Sequence, residues 1–195
     1  MPPERCRYNP EVRGDPDLGR IACWRPVHED NDRCIWHSEQ DDKSDIELVE
    51  METYRGERLD GAVLTGLDLQ DATIFADCVL IGADFTGTNV SGADLRGADM
   101  RESFFTNVTA TKTDFRDAHL EGATMAGSDL RYADMRRSRL HSSDLTSTLI
   151  NDETRFGDCV VYERDYYQSD DAHDRADNLE RATRMYRILE DIIEE

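Results

Sequence analysis

Between about Leu59 and Ile150, large apolar residues return at every fifth position. Leu80, Phe85, Val90, Leu95, Met100, Phe105, Phe115, Leu120, Met125, Leu130, Met135, Leu140, Leu145 and Ile150 keep this beat, and only Ala110 is a small centre. Two positions before most centres stands a small or slim residue, from Ala83, Thr88, Ala93, Ala98 and Ser103 to Thr113, Ala118, Ala123, Ser128, Ala133, Ser138 and Ser143. An α-helix places apolar residues three and four apart, and a half-buried strand places them two apart. Five fits neither. The period predicts an all-β solenoid, in which each turn is too thin to bury a core alone and is stabilised by its neighbours.

The earlier centres Leu59, Leu64, Leu69 and Ile74 run one residue out of phase with the rest. One extra residue near Asp77–Ile81, forming a bulge at a corner, accounts for the shift. The unit itself reads GADLR, GADMR, GSDLR and YADMR at successive or nearby sites. In this it resembles the pentapeptide-repeat family over roughly half the chain. The resemblance implies a right-handed quadrilateral β-helix, with one repeat per side and twenty residues per turn. Centres and small residues would point inward, and the other three positions would face water. About nineteen fives then make about five turns, a rod on the order of 25 Å long at the usual sheet spacing.

Both ends of such a rod expose backbone edges and apolar centres, so both need covers. The chain divides accordingly into a Cys/His segment (1–45), a lead-in or cap (46–58), the β-helix (59–157) and a C-terminal segment (158–195). From Asp174 to Glu195 the residues Leu179, Ala182, Met185, Tyr186, Leu189, Ile192 and Ile193 form one stripe at three and four spacing. That pattern predicts an amphipathic α-helix, which either caps the last turn or pairs with a second copy. It ends without a C-cap signal, which suits the front part of a longer protein.

Cys6, Cys23, Cys34 and His37 are the one set with metal-ligand chemistry. The C-I-W-H step sets Cys34 and His37 three apart, as in a knuckle that offers two ligands to one zinc, and Cys6 and Cys23 would complete a tetrahedron. Trp24 and Trp36 adjoin ligands, and His28 is a spare. A segment so poor in aliphatic residues gains from a structural zinc. The competing reading is a disulfide or buried thiols, although a reducing cytoplasm disfavours disulfides. The C…CWR…CIWH opening ahead of the repeats is similar to a haloarchaeal pattern. Cys78 falls at a small inward position and Cys159 just past the rod, both as packing residues.

Charge changes the picture less than its size suggests. The net charge is −20, from 43 acidic and 23 basic residues, and only Lys43 and Lys112 among the basic ones are lysine. Abundant Asp with almost no Lys is the composition of a halophilic, archaeal protein kept soluble by hydrated acid. At ~1 M salt the Debye length is ~3 Å, so long-range steering by charge is weak. No apolar run opens the chain at Met1–Pro10, and no stretch approaches the ~20 apolar residues that cross a bilayer. The expectation is a soluble, cytoplasmic chain.

Residues twenty apart share a side. The sides centred on Leu95 and Met100 carry Asp94, Asp114, Asp134, Arg96, Arg116, Arg136 and the group Asp99, Arg101, His119, Glu121, Arg139, His141. The other two sides are nearly neutral and show Phe104, Thr106, Thr124, Tyr132 and Leu149. These five residues form the candidate partner-binding surface, although single exposed apolar residues are common on any protein and Phe104 could tuck into a corner. No nucleophile–base set, phosphate loop or acidic pair stands out, so an enzyme is not expected. The leading reading is a non-catalytic scaffold for an unidentified protein, with homodimerisation through the C-terminal helix or the neutral sides as a further option. Some pentapeptide proteins resemble duplex DNA and occupy the DNA saddle of gyrase. Here the rod segment holds only 16 acidic against 9 basic residues, which weakens that alternative. A third reading is the soluble front part of a channel-like membrane protein. Nucleic-acid binding is disfavoured by charge.

Overall fold

The computed structural model describes residues 33–38 and 56–160. Cys6, Cys23, His28 and the amphipathic stripe after Asp174 lie outside the described residues, so the expectations about them stand as sequence readings.

Four columns of parallel bridges define four sides. Side one runs through Arg58, Val79, Asp99, His119, Arg139 and Val160; side two through Val63, Asp84, Phe104, Thr124 and Asp144. Side three runs through Asp68, Asn89, Thr109, Asp129 and Leu149; side four through Asp94, Asp114, Asp134 and Arg155. Each side contributes a single bridged residue per turn, because a corner follows within two residues. The described sheet is therefore made of isolated bridges, and side one spans five turns from Arg58 to Val160.

The five-residue unit has a simple backbone logic. Each centre donates to the next turn and each bridged residue donates to the previous one, as in Leu95 N to Asp114 O (2.9 Å) and Asp94 N to Ala72 O (2.8 Å). The corner closes on itself, as in Ala83 N to Leu80 O (3.0 Å), with the residue before the small one left-handed, Gly82 at φ 66°. That is the arrangement of a type II turn, which favours glycine at its third position. It explains the glycine of G-A-D-L-R. The centres and small residues are buried, most of them at 0% exposure.

Polar residues at the small position are satisfied inside. Thr113 Oγ1 donates to Val90 O (2.7 Å) one turn back, while Ser138 Oγ donates to Met135 O (2.7 Å) within its own corner. Ser128 Oγ donates to Phe105 O and accepts from Val108 N (3.1 Å). Slim hydroxyls thus fit where alanine does, at no cost in unpaired buried groups.

Ala110 has a physical reason. In its turn, Phe105 and Phe115 are buried on the sides either side of it, with ring centroids 6.1 Å apart at 73°. Phe105 also stacks on Phe85 in the turn before, at 4.5 Å and 13°. Two facing rings fill the cross-section, so the third centre of that turn is small.

The extra residue lies slightly earlier than the sequence suggested. The hydrogen bond of Asp94 N to Ala72 O still counts the longer turn, whereas that of Asp77 N to Arg96 O already counts the shorter one. The step therefore falls at 73–76, not at Asp77–Ile81. It turns both Ile74 (8% exposed) and Phe75 (0%) inward, so a core ring is gained rather than a loop extruded. A second step was not anticipated. Asp129 bridges Leu149 but Asp134 bridges Arg155, so one more residue enters at 151–154. There Asn151 Oδ1 accepts the amide of Tyr132 (2.9 Å), where other corners use a main-chain carbonyl. Past this step Cys159 belongs to the rod. It stacks under Ser138 and its thiol meets Met135 O at 2.9 Å.

The short segment around Trp36 seats itself on the first turn. Val63 N donates to Trp36 O (2.7 Å), as if Trp36 belonged to a preceding turn of side two. Its ring, 1% exposed, meets Phe75 edge-on at 6.1 Å. The open N-terminal end is thus covered on this side.

Candidate functional site

The outward residues sort by side. On side four each arginine folds back on the aspartate two residues earlier. Arg96 meets Asp94 through two hydrogen bonds (2.8 and 2.5 Å), Arg116 meets Asp114 (2.9 and 2.6 Å) and Arg136 meets Asp134 (2.8 and 2.6 Å). Two of the three also face the aspartate of the next turn, Arg96 to Asp114 at 3.6 Å and Arg116 to Asp134 at 3.9 Å. Like charges stacked one sheet spacing apart are thereby offset, as the column pattern led one to expect. The Arg96, Arg131 and Arg136 guanidinium groups, hydrogen-bonded to Asp94, Asp129 and Asp134, hold those carboxyls below the usual carboxylate range.

These aspartates have a second task that sequence reasoning missed. The Oδ1 atoms of Asp94, Asp114, Asp129 and Asp134 accept the amide two residues on (3.2 Å each), and Asp84 and Asp144 do the same for Thr86 and Thr146 (2.9 Å each). This is an Asx turn, in which a short carboxylate caps the start of a corner. The D of A-D-L-x-x is therefore a backbone device. Part of the acidity follows from the fold rather than from solvent.

Side one is also charged. Asp99 pairs with Arg101 (2.7 Å), and Glu121 receives Arg139 (2.8 Å) with His119 at 3.8 Å. Burial pushes the His141 imidazole down from its ordinary value. Among the described residues no group of three or more His, Cys, Asp or Glu side chains is arranged to hold a metal.

The candidate partner residues do not form one patch. Phe104 stands on side two between Asp84 and Thr124 and is 49% exposed, so it does not tuck into a corner. Thr106 and Thr124 are half-buried beside it. Leu149 (54% exposed) is on side three, and Tyr132 (51%) is at the corner between sides three and four, one turn before it. Asn151 ties these two turns together through the Tyr132 amide. Tyr132 and Leu149 are thus neighbours in register, and Phe104 lies around a corner. Tyr132 is left-handed at φ 65°, in a series otherwise held by Gly, Asp, Asn, Glu, Lys, Arg and Ser. A bulky side chain there is a conformational outlier.

Cys34 and His37 are brought together. Their Sγ and Nδ1 atoms are 3.2 Å apart, with the residues 1% and 6% exposed. A turn draws them in, through His37 N and Ser38 N donating to Cys34 O (2.9 Å each). The other imidazole nitrogen, Nε2, lies 2.9 Å from Asp60 O. A carbonyl can only accept, so Nε2 carries a hydrogen and donates it to Asp60 O, while Nδ1 faces Cys34 Sγ. Histidine ligands to metals are commonly oriented in this way. Two ligands on a tetrahedral zinc stand about 3.6 Å apart, from bond lengths of ~2.3 Å to sulfur and ~2.0–2.1 Å to nitrogen. The pair needs only a few tenths of an ångström to fit. Its donor set suits zinc.

The family profile described as Pentapeptide repeats matches residues 73–109 and 111–146, in 8 copies. The matched residues lie within the described rod. Among solved structures, the chain is similar to the pentapeptide repeat protein Rfr23 of the cyanobacterium Cyanothece 51142, with 17% identity, 51% of this chain and 63% of that one covered, and a TM-score of 0.41. It is also similar to HetL, a pentapeptide repeat protein involved in heterocyst differentiation regulation from Nostoc sp. strain PCC 7120, with 20% identity, coverage of 56% and 63%, and a TM-score of 0.24. Full-length QnrB1, a plasmid-mediated fluoroquinolone resistance protein, shows 15% identity, coverage of 65% and 94%, and a TM-score of 0.20. The chain spans under two thirds of the length of either cyanobacterial protein. No curated protein matches it. No helix among the described residues is long and apolar enough to cross a membrane.

Proposed function

We propose that this pentapeptide-repeat rod is a non-catalytic scaffold that presents its third side, at Tyr132 and Leu149, to a protein partner in the cytoplasm of a halophile. The observation that carries this reading is Tyr132. Its left-handed backbone disfavours an aromatic residue, and half its surface remains in water. A left-handed L-residue costs roughly 1–2 kcal/mol. Strain of that size, kept where glycine would relieve it, is a mark of functional retention. Phe104, Thr106 and Thr124 on side two form a second, separate contact area in the same reading. The near absence of lysine and the acid of the flanking segments support the saline setting, since the rod's own aspartates are occupied as corner caps.

The alternative is a DNA mimic acting on gyrase or a related topoisomerase. Such a rod needs uncompensated acidic rows, whereas the aspartates of side four are each paired with arginine at 2.5–2.6 Å. One experiment separates the two. A photo-crosslinking amino acid is placed at 132, or at 116 on the paired-charge side, and irradiated in cells at working salt. The scaffold reading expects a discrete adduct from 132 that disappears with Leu149→Asp and no adduct from 116. Equal labelling from both sites sinks it. Inhibition of the same organism's gyrase supercoiling by stoichiometric protein, without DNA binding, would establish the alternative.

A further inference from the structure

We propose that the protein partner of the Tyr132–Leu149 surface docks through an acidic segment with an apolar residue at its middle, whose carboxylates touch Lys112 and Arg155 on either side of the tyrosine. This rests on the scaffold reading above and names the chemistry of its partner. From Arg58 to Arg139, every arginine of the rod holds an aspartate or glutamate at 2.5–2.9 Å. Lys112 and Arg155 hold no acid among the described residues, and both are exposed.

These two cations flank one corner. The left-handed residues between sides three and four are Asp71, Gly92, Lys112 and Tyr132, one per turn. Gly92 N donates to Thr111 O (2.9 Å) and Lys112 N to Arg131 O (3.1 Å), which sets Lys112 one turn before Tyr132. Arg155 bridges Asp134 on side four and so stands one turn after Tyr132. The cations are therefore two sheet spacings apart along the rod, roughly 10 Å, with the tyrosine between them. Nearby acids leave them uncompensated. The Asp71 carboxylate leans over Gly92, a turn short of Lys112, and the Asp129 carboxylate is taken by Arg131 (2.9 and 2.6 Å). Asp152 and Glu153 share the turn of Arg155 and make no ion pair with it.

A lysine ammonium is a compact, strongly hydrated point charge, suited to one carboxylate. At ~1 M salt the Debye length is ~3 Å, so such a cation acts on a group that touches it and not on distant charge. Tyr132 and Leu149, each half exposed, supply the apolar contact beside it. An aromatic anchor within a polar rim is the usual make-up of a protein interface. The partner segment thus reads acid, apolar, acid along the corner. A nucleic acid carries charge unbroken along its backbone and gains most of its affinity from many cations, so a protein segment suits this corner better.

The test uses the full-length chain with the photo-crosslinking residue at 132, irradiated in cells at working salt. Lys112→Glu should cut the adduct ~10-fold or more, because like charges in contact cost at least that. Lys112→Arg keeps the charge and should keep the adduct. Lys112 makes no ion pair in the rod, so Lys112→Glu should leave the urea midpoint unchanged, which separates lost docking from lost folding. Arg155→Glu should weaken the adduct as well. A carbodiimide added to the irradiated extract should join the Lys112 amine to a partner carboxylate as an amide, the water lost being taken up by the carbodiimide. That amide should be absent from Lys112→Arg. The inference is overturned, with the scaffold reading intact, if the adduct forms but Lys112→Glu leaves it unchanged, or if no amide to the partner forms at Lys112. It is overturned too by an adduct of twice the mass of this chain, which makes the occupant a second copy, and by one that nuclease removes. No adduct from 132 overturns both readings.

Discussion

Ala110 offers a sharp test of how this core is packed. Every other centre from Leu80 to Ile150 is large, and Ala110, at 0% exposure, has no room to expand while Phe105 and Phe115 face each other at 6.1 Å. Ala110→Leu therefore overpacks the turn and should cost about 1–3 kcal/mol. Phe105→Leu forfeits the stacked ring of Phe85 and the edge contact of Phe115, each pair worth ~0.5–1.5 kcal/mol, and so should cost about 2 kcal/mol. Together the two substitutions exchange a ring and a methyl for two leucines at nearly conserved volume. The double variant should then be less damaged than the sum of the singles by at least ~1 kcal/mol, within the range seen for touching residues. Urea unfolding of the four proteins at one fixed high salt concentration, followed by circular dichroism and with equal slopes, measures the cycle. Additive costs would refute the volume argument, and so would an Ala110→Leu protein as stable as the wild type.

Three further outcomes follow from the same geometry. The carboxyls of Asp94, Asp129 and Asp134 sit below their ordinary value of 3.8 because of their arginine hydrogen bonds. The folded state favours their charged form, so this stability is present above about pH 4 and is lost as pH falls below it. Each exposed pair is worth ~0–1 kcal/mol, so a thermal melt series from pH 6 to pH 2 should show a shallow decline that Asp134→Asn makes shallower. Burial pushes Asp60 the other way, and Asp60→Asn should steepen the acid limb by removing a group whose protonation favours the fold. Among corner glycines, Gly82→Ala meets open space at φ +66° and should cost only the left-handed backbone term less the unfolded-state gain, about 1 kcal/mol. Gly92→Ala puts a Cβ 2.2 Å from Asp71 Oδ1 and should cost more, with Asp71→Ala bringing it back to the Gly82→Ala value in the same urea assay. Ser128→Ala removes a hydroxyl that bridges Val108 N and Phe105 O, which keep a 3.3 Å bond to each other, and should cost ~0.5–1.5 kcal/mol, with Ser103→Ala, whose hydroxyl makes one bond to Met100 O, at the low end of that range.

Much of the rod is legible in the sequence because side-chain volume is read out once per corner. A large residue at each centre and a slim one two before it leave no other way to close a five-residue side. Register steps are less legible. The step at 73–76 shows as a phase shift, but Ile74 and Phe75 are both apolar, so the pattern cannot tell which is the extra one. The step at 151–154 falls among polar residues, where no apolar beat exists to slip. The Asx role of Asp94 and its equivalents was visible as an aspartate two residues before each arginine. It was obscured because a strong net charge offered its own explanation. The candidate surface was half legible. Exposure of Phe104, Tyr132 and Leu149 follows from their outward positions, whereas their division between two sides depends on counting through both steps. Cys34 and His37 were found by spacing, but the grip of His37 on Asp60 joins residues 23 apart and has no local sequence signal.

The two 21-residue turns bear on how such a chain can change length. A single inserted residue is swallowed at one corner, and the bridges on either side resume with every later residue on its proper side. Which way a residue looks is therefore decided by its neighbours in the adjoining turn, not by its distance from the start of the chain. Insertions of one residue are local errors that the rod corrects, and insertions of a whole turn are simple extensions. Lineages of such rods can drift in length by quanta of one turn while the Tyr132–Leu149 surface keeps its bearing.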